Sequence, residues 1–535
     1  MRVLLMHSDR DWAEEPALTE RFRSFRRAAA PPVPAHQQAL IQDLALDTLV
    51  SAMARDDEFL FEVAQRALLT GSVNDLDTIR YRQDVFEDCR SNPAVIRELY
   101  RLVVEAIGGK RKYNIADYAR WPGSIMYSAI EALQWYTEML KKLRTLADAY
   151  AAGFESPGLS AFFAMLQREF NDEYFEIIQR HLRRLKFEDG TLISATLGQG
   201  NEGTGYVLHQ PHDDRTWFDR LLGRGLPGFT FYIHERDEAG ARAVGEMRGR
   251  GINLVANALA QSTEHMLSFF EILRAELAFY VACMNAHEDL TGLGVPTCRP
   301  EPAATGIGTH HFTELCDVCL VLQKGSAVVG NSLVVDGKRL AIITGANQGG
   351  KSTFLRSIGL AQLMTQSGMF VGAKEFAGAL SAGVFTHYKR EEDATMKHGK
   401  LDEELARMSA IVDAVRPGAL VLFNESFAST NEIEGSEIAR QVVAALLDKQ
   451  IRVFFVTHQY EFARQMFEHQ LPFAAFLRAE RRADGTRTFR IIEGEPLETS
   501  YGEDLYEEIF GGESHPWVAT EPLRPAQGAR IRRGD

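Results

Sequence analysis

The residues from Gly345 to Ser352, GANQGGKS, have the spacing of a loop that can hold phosphates. In such a loop, glycines let successive backbone N–H groups converge on phosphate oxygens, a lysine neutralises charge and a hydroxyl can bind Mg²⁺. LAIIT before the loop predicts a buried strand, and STFLRSIGLAQLM after it predicts a helix. A glycine-rich turn with a surface lysine is the alternative, but this context favours a nucleoside triphosphate site. The predicted nucleotide-binding residues are Gly345, Ala346, Asn347, Gln348, Gly349, Gly350, Lys351, Ser352 and Thr353.

A second apolar run, from Ala419 to Phe423, ends in two polar residues, Asn424 and Glu425. Glu425 is the predicted catalytic base for the water that attacks the terminal phosphate. Asn424 stands where an aspartate usually helps to hold Mg²⁺, and its amide accepts the same hydrogen bond without bringing negative charge. Ser352 and Asn424 are therefore the predicted metal residues, with weaker metal binding or slower turnover as the expected consequence.

His458 follows a third apolar run, VFFVT, at the end of a predicted strand. An imidazole at that position can contact the terminal phosphate and report whether it is present. A lone histidine after a strand is more often structural, but its order after the two phosphate motifs favours the catalytic interpretation.

Length and composition limit the class of protein that carries these motifs. A chain of 535 residues exceeds what one hydrophobic core usually organises, so two or more domains are expected. The apolar run at the N-terminus breaks at His7 and Asp9, and no apolar run approaches the about 18 residues of a membrane span. The net charge of -14 argues against indiscriminate coating of nucleic acid. These features, with scattered cysteines, predict a cytoplasmic protein without a membrane partner.

The residue pattern predicts a multidomain protein in which a mostly α-helical part precedes an α/β part. Apolar residues at helical spacing between Ile252 and Met284 predict a helix about 45 Å long that can act as a lever. The predicted divisions are an N-terminal segment and Pro-rich linker (1–36), a helical core and lever domain (37–302) with a small β-containing insertion (about 189–248), an α/β P-loop NTPase domain (303–513) and a basic, disordered tail (514–535).

Basic residues cluster in the helical part, where they could follow a phosphate backbone. The predicted DNA-binding residues are Arg180, Arg183, Arg184 and Lys186, and further clusters occur at 110–112 and 141–144. For any single cluster, a solvated helix face is the interpretation that the pattern favours.

Cys316 and Cys319, behind His310 and His311, raise the possibility of a zinc site. The sequence offers no second cysteine pair, and hydrophobic residues are interleaved. Two buried thiols in a strand are therefore favoured.

Four segments resemble the motifs of a known family. TGANQGGKST, LVLFNESFASTNEIEG, FFVTHQYEF and SYGEDLYEEIFGG look like the nucleotide-binding, magnesium-binding, sensor and Ser-Tyr-Gly motifs of the MutS family of DNA mismatch-repair ATPases, over residues 330–512. DLDTIRYRQDVFEDC is similar to the start of that family's core, and GTHHFTELCDVCL with VVGNSL to the segment leading into its ATPase domain. The resemblance implies an ABC-like ATPase domain, ATP and Mg²⁺ as cofactors, a homodimer that pairs through its ATPase domains, and helical levers that close around DNA.

The sequence also departs from the family pattern. Residues 1–36 are too few for mismatch-binding and connector domains, so a short form is expected, and no nuclease module is expected after Gly512. Gly399 falls near an expected serine that reaches the partner's nucleotide, and Val328 falls where an adenine-stacking aromatic is expected. A DNA-clamping ATPase for branched DNA, recombination or defence, and a nucleotide-binding scaffold with little hydrolysis, remain the alternatives to mismatch repair.

Overall fold

The computed structural model describes residues 3–8, 35–69, 75–109, 121–187, 190–209, 231–306, 308–390, 399–482 and 485–497. Within these residues the protein is mostly helical and also contains separate sheets, as the sequence predicts. None of the helices so described is long and apolar enough to cross a membrane.

The helices of the first part of the chain are α1 (Ala35–Asp43), α2 (Leu46–Ala54), α3 (Glu58–Leu69), α4 (Leu76–Ser91), α5 (Pro93–Gly108), α6 (Pro122–Tyr150), α7 (Pro157–Glu169), α8 (Asp172–Arg184) and α9 (Glu238–Gly292). Several begin at a side chain that accepts a hydrogen bond from a backbone N–H group of the first turn. Asp75 caps α4, Ser156 caps α7 and Asn171 caps α8 in this way. These caps satisfy N–H groups that the helix itself leaves without partners.

Helix α9 is longer than the sequence pattern predicts. The apolar stripe predicts a helix of about 45 Å, whereas α9 has 55 residues and extends about 80 Å at 1.5 Å per residue. The helix begins at Glu238, so the last residues assigned to the insertion of 189–248 are helical. Its first turns carry few buried residues, and an apolar stripe cannot reveal helix where little is buried.

The first described residues, 3–8, belong to the predicted N-terminal segment and pack against α9. Val3 and Leu5 are buried, and the Leu5 N–H group donates to Glu276 Oε2 at 2.6 Å. The Tyr280 hydroxyl donates to the Leu5 carbonyl at 2.6 Å. The predicted Pro-rich linker itself lies outside the described residues.

The predicted β-containing insertion holds a two-stranded antiparallel hairpin of β1 (Leu192–Leu197) and β2 (Gly203–His209). The side chains of this hairpin are exposed or half-buried throughout both strands. A small hydrophobic cluster joins α6, α8 and α9 beside it, with Met126, Leu182 and Ile252 at its centre. The hairpin therefore lies near the N-terminal end of α9.

The second part of the chain forms two sheets. Its strands are β3 (Glu301–Ala303), β4 (His310–Leu315), β5 (Asn331–Val334), β6 (Leu340–Thr344), β7 (Glu375–Ala379), β8 (Val384–Tyr388), β9 (Leu420–Asn424), β10 (Arg452–Val456), β11 (Ala474–Arg481) and β12 (Arg487–Glu493). Its helices are α10 (Val318–Lys324), α11 (Lys351–Ser367), α12 (Lys400–Ala414), α13 (Glu432–Asp448) and α14 (Tyr460–Glu468). The larger sheet has the order β12-β11-β6-β10-β9-β8, parallel except for β12. The smaller has the order β3-β7-β4-β5.

Both faces of the larger sheet are covered. In β6, Ala341 and Ile343 belong to the core shared with the helices of the first part, whereas Leu340 and Ile342 belong to a second core under α13 and α14. Parallel strands buried on both faces read as continuous apolar runs, which explains why LAIIT is recognisable in the sequence.

Cys316 and Cys319 are buried free thiols, as predicted, but they do not lie in a strand. Cys316 follows the last residue of β4, and Cys319 lies in α10. The strand prediction is wrong because Asp317 ends the extended segment by accepting a hydrogen bond from the Leu320 N–H group and so capping α10. The described residues contain no group of three or more His, Cys, Asp or Glu side chains that could hold a metal.

Candidate functional site

The site residues follow strands β6, β9 and β10, which are neighbours in the larger sheet. Since these strands are parallel, their carboxyl ends meet at one edge, where open α/β sheets usually bind ligands. The Glu425 N–H group donates to the Val456 carbonyl at 2.9 Å, and the Thr457 N–H group donates to the Ile343 carbonyl at 3.0 Å. These hydrogen bonds extend the pairing past the strand ends and hold the three loops together.

The loop after β6 needs its glycines for two reasons. Gly345 and Gly350 have φ values of 109° and 91°, in the region that L side chains rarely adopt. A Cβ atom on Gly349 would lie 2.7 Å from the Ala479 Cβ atom, and one on Gly345 would lie 2.9 Å from the Ala479 nitrogen. The loop therefore packs directly on β11, and its backbone conformation is one that can point N–H groups at an anion.

Lys351 begins α11 and is buried at the base of this loop. Its ammonium donates to the Gly345 carbonyl at 2.9 Å and to the Ala346 carbonyl at 2.8 Å. Burial lowers the pKa of Lys351 to about 8, while the Glu425 carboxylate opposes that shift and Arg487 adds to it. The cation is thus held at the loop by weak dipoles, which a bound phosphate could replace with full negative charge.

Ser352 and Asn424, the predicted metal residues, lie side by side. The Ser352 hydroxyl donates to Asn424 Oδ1 at 2.9 Å. A hydroxyl and an amide oxygen are hard oxygen ligands of the kind that Mg²⁺ accepts, so the donor set fits this ion when substrate phosphates and water complete its coordination.

Glu425 and His458, the predicted catalytic residues, are in direct contact. His458 Nε2 lies 3.1 Å from Glu425 Oε1. The hydrogen bond from His458 lowers the pKa of the Glu425 carboxyl below its usual value, although partial burial acts in the opposite direction. Glu425 has a φ of 54°, a backbone conformation that costs energy in a residue with a side chain. The carboxylate is ionised at neutral pH, and its charge opposes the lowering of the Lys351 pKa.

The other predicted nucleotide residues lie in the same loop and at the start of α11. Ala346 is buried, Asn347 and Thr353 are half-buried, and Gln348 is exposed with a φ of 58°. Val328 is half-buried against the main core, and Gly399 immediately precedes α12. The Ser-Tyr-Gly segment at 500–512 and the tail at 514–535 lie outside the described residues.

The predicted DNA-binding residues lie elsewhere, on and just after α8. Arg180, Arg183, Arg184 and Lys186 are all exposed. Lys186 lies 3.7 Å from Glu131, whereas the three arginines make no ion pair with the residues that the structure describes. By contrast, Lys141, Lys142 and Arg144 are paired with Glu138, Glu105 and Asp148. The cluster at 110–112 lies outside the described residues.

Sequence reasoning missed several residues that shape the site. Arg487 of β12 donates to Gln348 Oε1 at 3.4 Å, and no motif marks it. His387 of β8 contacts Ser426, the residue next to Glu425, and Gln459 donates to the Phe427 carbonyl at 2.9 Å. Ser426 and Gln459 adjoin predicted catalytic residues, which is a usable signal, whereas nothing in the sequence marks His387.

The larger sheet carries a glycine-rich loop and several polar residues at its carboxyl edge, and it is joined to a long helical assembly. Two family models match these two parts. Residues 74–293 match the MutS2 N-terminal domain, and residues 341–509 match MutS domain V. The chain belongs to the MutS family, as the resemblance in its motifs predicts.

Named relatives agree with the family models. The chain is 26% identical over 444 residues to the DNA mismatch repair protein MutS of Microcystis aeruginosa, which covers 74% of this chain and 49% of that protein. It is 32% identical over 180 residues to the MutS of Thermotoga neapolitana, covering 33% and 22% of the two chains. It is also 32% identical over 144 residues to MutS protein homolog 4 of Mus musculus, covering 26% and 15%. The chain spans about half the length of the first relative and less of the others.

Proposed function

We propose that this protein is a P-loop ATPase with an ABC-like nucleotide domain, which binds ATP and Mg²⁺ and uses them to change its hold on DNA. The observation that carries the proposal is the meeting of two residue pairs, Ser352 with Asn424 and Glu425 with His458, beside the buried ammonium of Lys351. ATP hydrolysis requires a loop that holds the phosphates, ligands for Mg²⁺ and a base for the attacking water.

Each residue has a separate role in this proposal. Lys351 exchanges its two carbonyl partners for phosphate oxygens when ATP binds. Glu425 uses Oε1 to accept the hydrogen bond from His458, which leaves Oε2 to accept a proton from the attacking water. His458 thereby holds the carboxylate in one orientation and keeps it ionised.

Ser352 and Asn424 are the residues that would hold Mg²⁺. When bound, the ion supplies positive charge to the phosphates. Asn424 lends it an oxygen dipole in place of a carboxylate, so we propose slow but real turnover.

We further propose that two chains pair through their ATPase domains and that α9 transmits the change to the DNA-binding surface. The division into a helical part (37–302) and an ATPase part (303–513) is supported by the change from helices to sheets at β3. In this proposal the protein is cytoplasmic, and the exposed arginines of α8 contact the DNA backbone. Dimerisation should strengthen with ATP, which light scattering at micromolar protein measures, and a mass that stays monomeric with ATP and Mg²⁺ would contradict it.

Mismatch repair is the role supported by the named relatives, and two alternatives are separated by experiment. Binding to homoduplex, mismatched and branched DNA, with and without ATP, distinguishes mismatch repair from a role on branched DNA. Preference for mismatched DNA supports the first role, and preference for junctions supports the second. The neutral Asn424 favours a third role, a nucleotide-binding scaffold, and measurable steady-state phosphate release would exclude it.

A further inference from the structure

The turn that carries Glu425 has an unusual backbone. Glu425 and Phe427 both have positive φ values, 54° and 61°, so Ser426 lies between two strained non-glycine residues. Such conformations persist only where surrounding contacts hold them. Ser426 and Phe427 are completely buried, so the contacts that hold this turn lie inside the protein.

His387, from the neighbouring strand β8, supplies two of these contacts. Its Nδ1 atom lies 2.7 Å from the Ser426 hydroxyl, and its Nε2 atom lies 3.0 Å from the backbone carbonyl of Glu404 in α12. Because a carbonyl can only accept, Nε2 carries the proton and Nδ1 accepts from the hydroxyl in the neutral ring. The same hydroxyl also donates to the His387 backbone carbonyl at 2.5 Å, so its one proton is shared between two acceptors of His387. The imidazole thus joins the turn to α12.

Packing fixes the imidazole against the same turn. The ring is fully buried and stacks on Phe427, with centroids 5.3 Å apart and an interplanar angle of 23°. Gln459, next to His458, donates to the Phe427 carbonyl at 2.9 Å. The turn is therefore held from β8 on one side and from the His458 loop on the other.

We propose that His387 and Ser426 are positioning residues for Glu425, and that they connect its placement to helix α12. This inference rests on the proposed function, because it assigns a purpose to the geometry of the proposed base. Neither residue touches the nucleotide site, so both act through the backbone of the Glu425 turn. Gly399 is the N-cap of α12, so a displacement of the start of that helix would reach Glu425 through this path.

Two substitutions of His387 separate its two contacts while both remove the ring. In His387→Asn, the side-chain amide can take the place of Nδ1 and keep the contact with Ser426. In His387→Gln, the amide reaches the position of Nε2 and keeps the contact with Glu404 only. Ser426→Ala removes the shared hydroxyl. Ser436→Ala is the matched control, because Ser436 is buried and its hydroxyl has no hydrogen-bond partner among the residues that the structure describes.

We expect kcat for ATP to fall at least tenfold in Ser426→Ala and in His387→Gln, since a small misplacement of a base strongly reduces its effect. His387→Asn should recover most of that loss, and Ser436→Ala should match wild type. The double variant Ser426→Ala/His387→Gln should be no slower than the slower single variant, because the Ser426 hydrogen bond that His387→Gln removes is already absent in Ser426→Ala. ATP affinity should stay within about threefold in all of them, since Lys351 and the glycine loop are untouched.

Hydrogen–deuterium exchange in the protein without nucleotide gives a readout independent of activity. Ser426→Ala and His387→Gln should increase exchange in peptides covering 424–428. His387→Asn should increase it mainly at the start of α12, at 400–406. Thermal melting identifies any variant that has lost its fold, and Ser426→Ala, which deletes one hydroxyl, is the least disruptive of the set.

Wild-type kcat in both Ser426→Ala and His387→Gln would overturn the positioning role. Equal losses in His387→Asn and His387→Gln would also overturn it, because loss of the ring alone would then explain the effect. Failure of the proposed function has a different signature, namely wild-type phosphate release no faster than that of Glu425→Gln.

Discussion

The carboxyl edge of the larger sheet and the N-terminal part of helix α9 differ in how far their large hydrophobic side chains are buried. At the sheet edge, Phe423, Phe427 and Phe455 are completely buried, and the polar residues among them are held by partners inside the chain. Near the start of α9, the hairpin residue Leu197 and the helix residue Leu254 are each 78% exposed. In the proposed function, catalysis at the sheet edge needs a geometry that exists before the ligand arrives, whereas a surface that binds a large partner is completed by that partner.

The larger sheet and helix α8 also differ in whether their charged side chains have partners. Glu425 accepts a hydrogen bond from His458, and buried Asp317 forms an ion pair with Arg356. On α8, Arg180 and Arg184 have no ionic partner within the described part of the chain. Charges already paired hold a structure together, while unpaired surface cations are available to a polyanion.

The largest effect should come from removing the cation at the sheet edge. Lys351→Ala should weaken ATP binding at least about a hundredfold, because the phosphates are then without their buried counter-charge. Lys338→Ala is the matched control, since Lys338 lies before β6, at the opposite end of the same strand, and bonds the Pro472 carbonyl. Isothermal titration calorimetry measures both. Unchanged ATP affinity in Lys351→Ala would show that Lys351 does not bind the phosphates.

A change of pH should weaken ATP binding through the same residue. Lys351, with a pKa of about 8 in the free protein, is charged at pH 7 and mostly neutral at pH 9. ATP binding favours the charged form of Lys351. The dissociation constant for ATP should therefore rise about tenfold between pH 7 and pH 9 by proton linkage. Glu425→Gln should move the rise to lower pH, since the Glu425 carboxylate raises the Lys351 pKa. A dissociation constant that is flat over this range would contradict this assignment of charge.

Smaller effects are expected on α8. Arg180→Ala with Arg184→Ala should lower the salt dependence of DNA binding by about 1.8 in log–log slope, at about 0.9 for each DNA phosphate that is no longer neutralised. Lys141→Ala with Lys142→Ala should change it less, because those lysines already pair with Glu138 and Glu105. Fluorescence anisotropy over a series of salt concentrations measures the slopes. Equal changes of slope in the two double variants would show that pairing with carboxylates does not decide which basic residues bind DNA.

The smallest effect is expected at Asn424. Asn424→Asp should keep turnover within about threefold and lower the Mg²⁺ concentration needed for half-maximal activity, because the carboxylate adds attraction to the cation. Phosphate release measured against Mg²⁺ concentration tests this. A higher Mg²⁺ requirement in the variant would show that Asn424 does not face the ion.

The same contrast explains what the sequence could predict. Continuous apolar runs with polar residues behind them marked β6, β9 and β10, because parallel strands buried on both faces leave that pattern. The loop glycines were recognisable because their backbone conformation restricts the residue type. The sheet order then placed Ser352 beside Asn424 and Glu425 beside His458, pairs separated along the chain by whole helices and strands.

Other features left no local signal. His387 reaches Ser426 only because β8 lies next to β9, and strand order is a property of the whole fold. The first turns of α9 bury little, so no apolar stripe extends the helix back to Glu238. Cys316 and Cys319 were expected in a strand because the hydrophobic residues around them, Leu315, Val318 and Leu320, suit either structure. The cap at Asp317 decides for a helix.

Nucleotide content after incubation with ATP and Mg²⁺ and gel filtration tests the central claim most directly. The claim is that Glu425 acts as the base in a site built from Lys351, Ser352 and Asn424. Wild type should elute with ADP, and Glu425→Gln should elute with intact ATP at a similar occupancy, because its cradle is unchanged and its base is gone. ADP on both proteins in equal amount, or no nucleotide on either, would contradict the account.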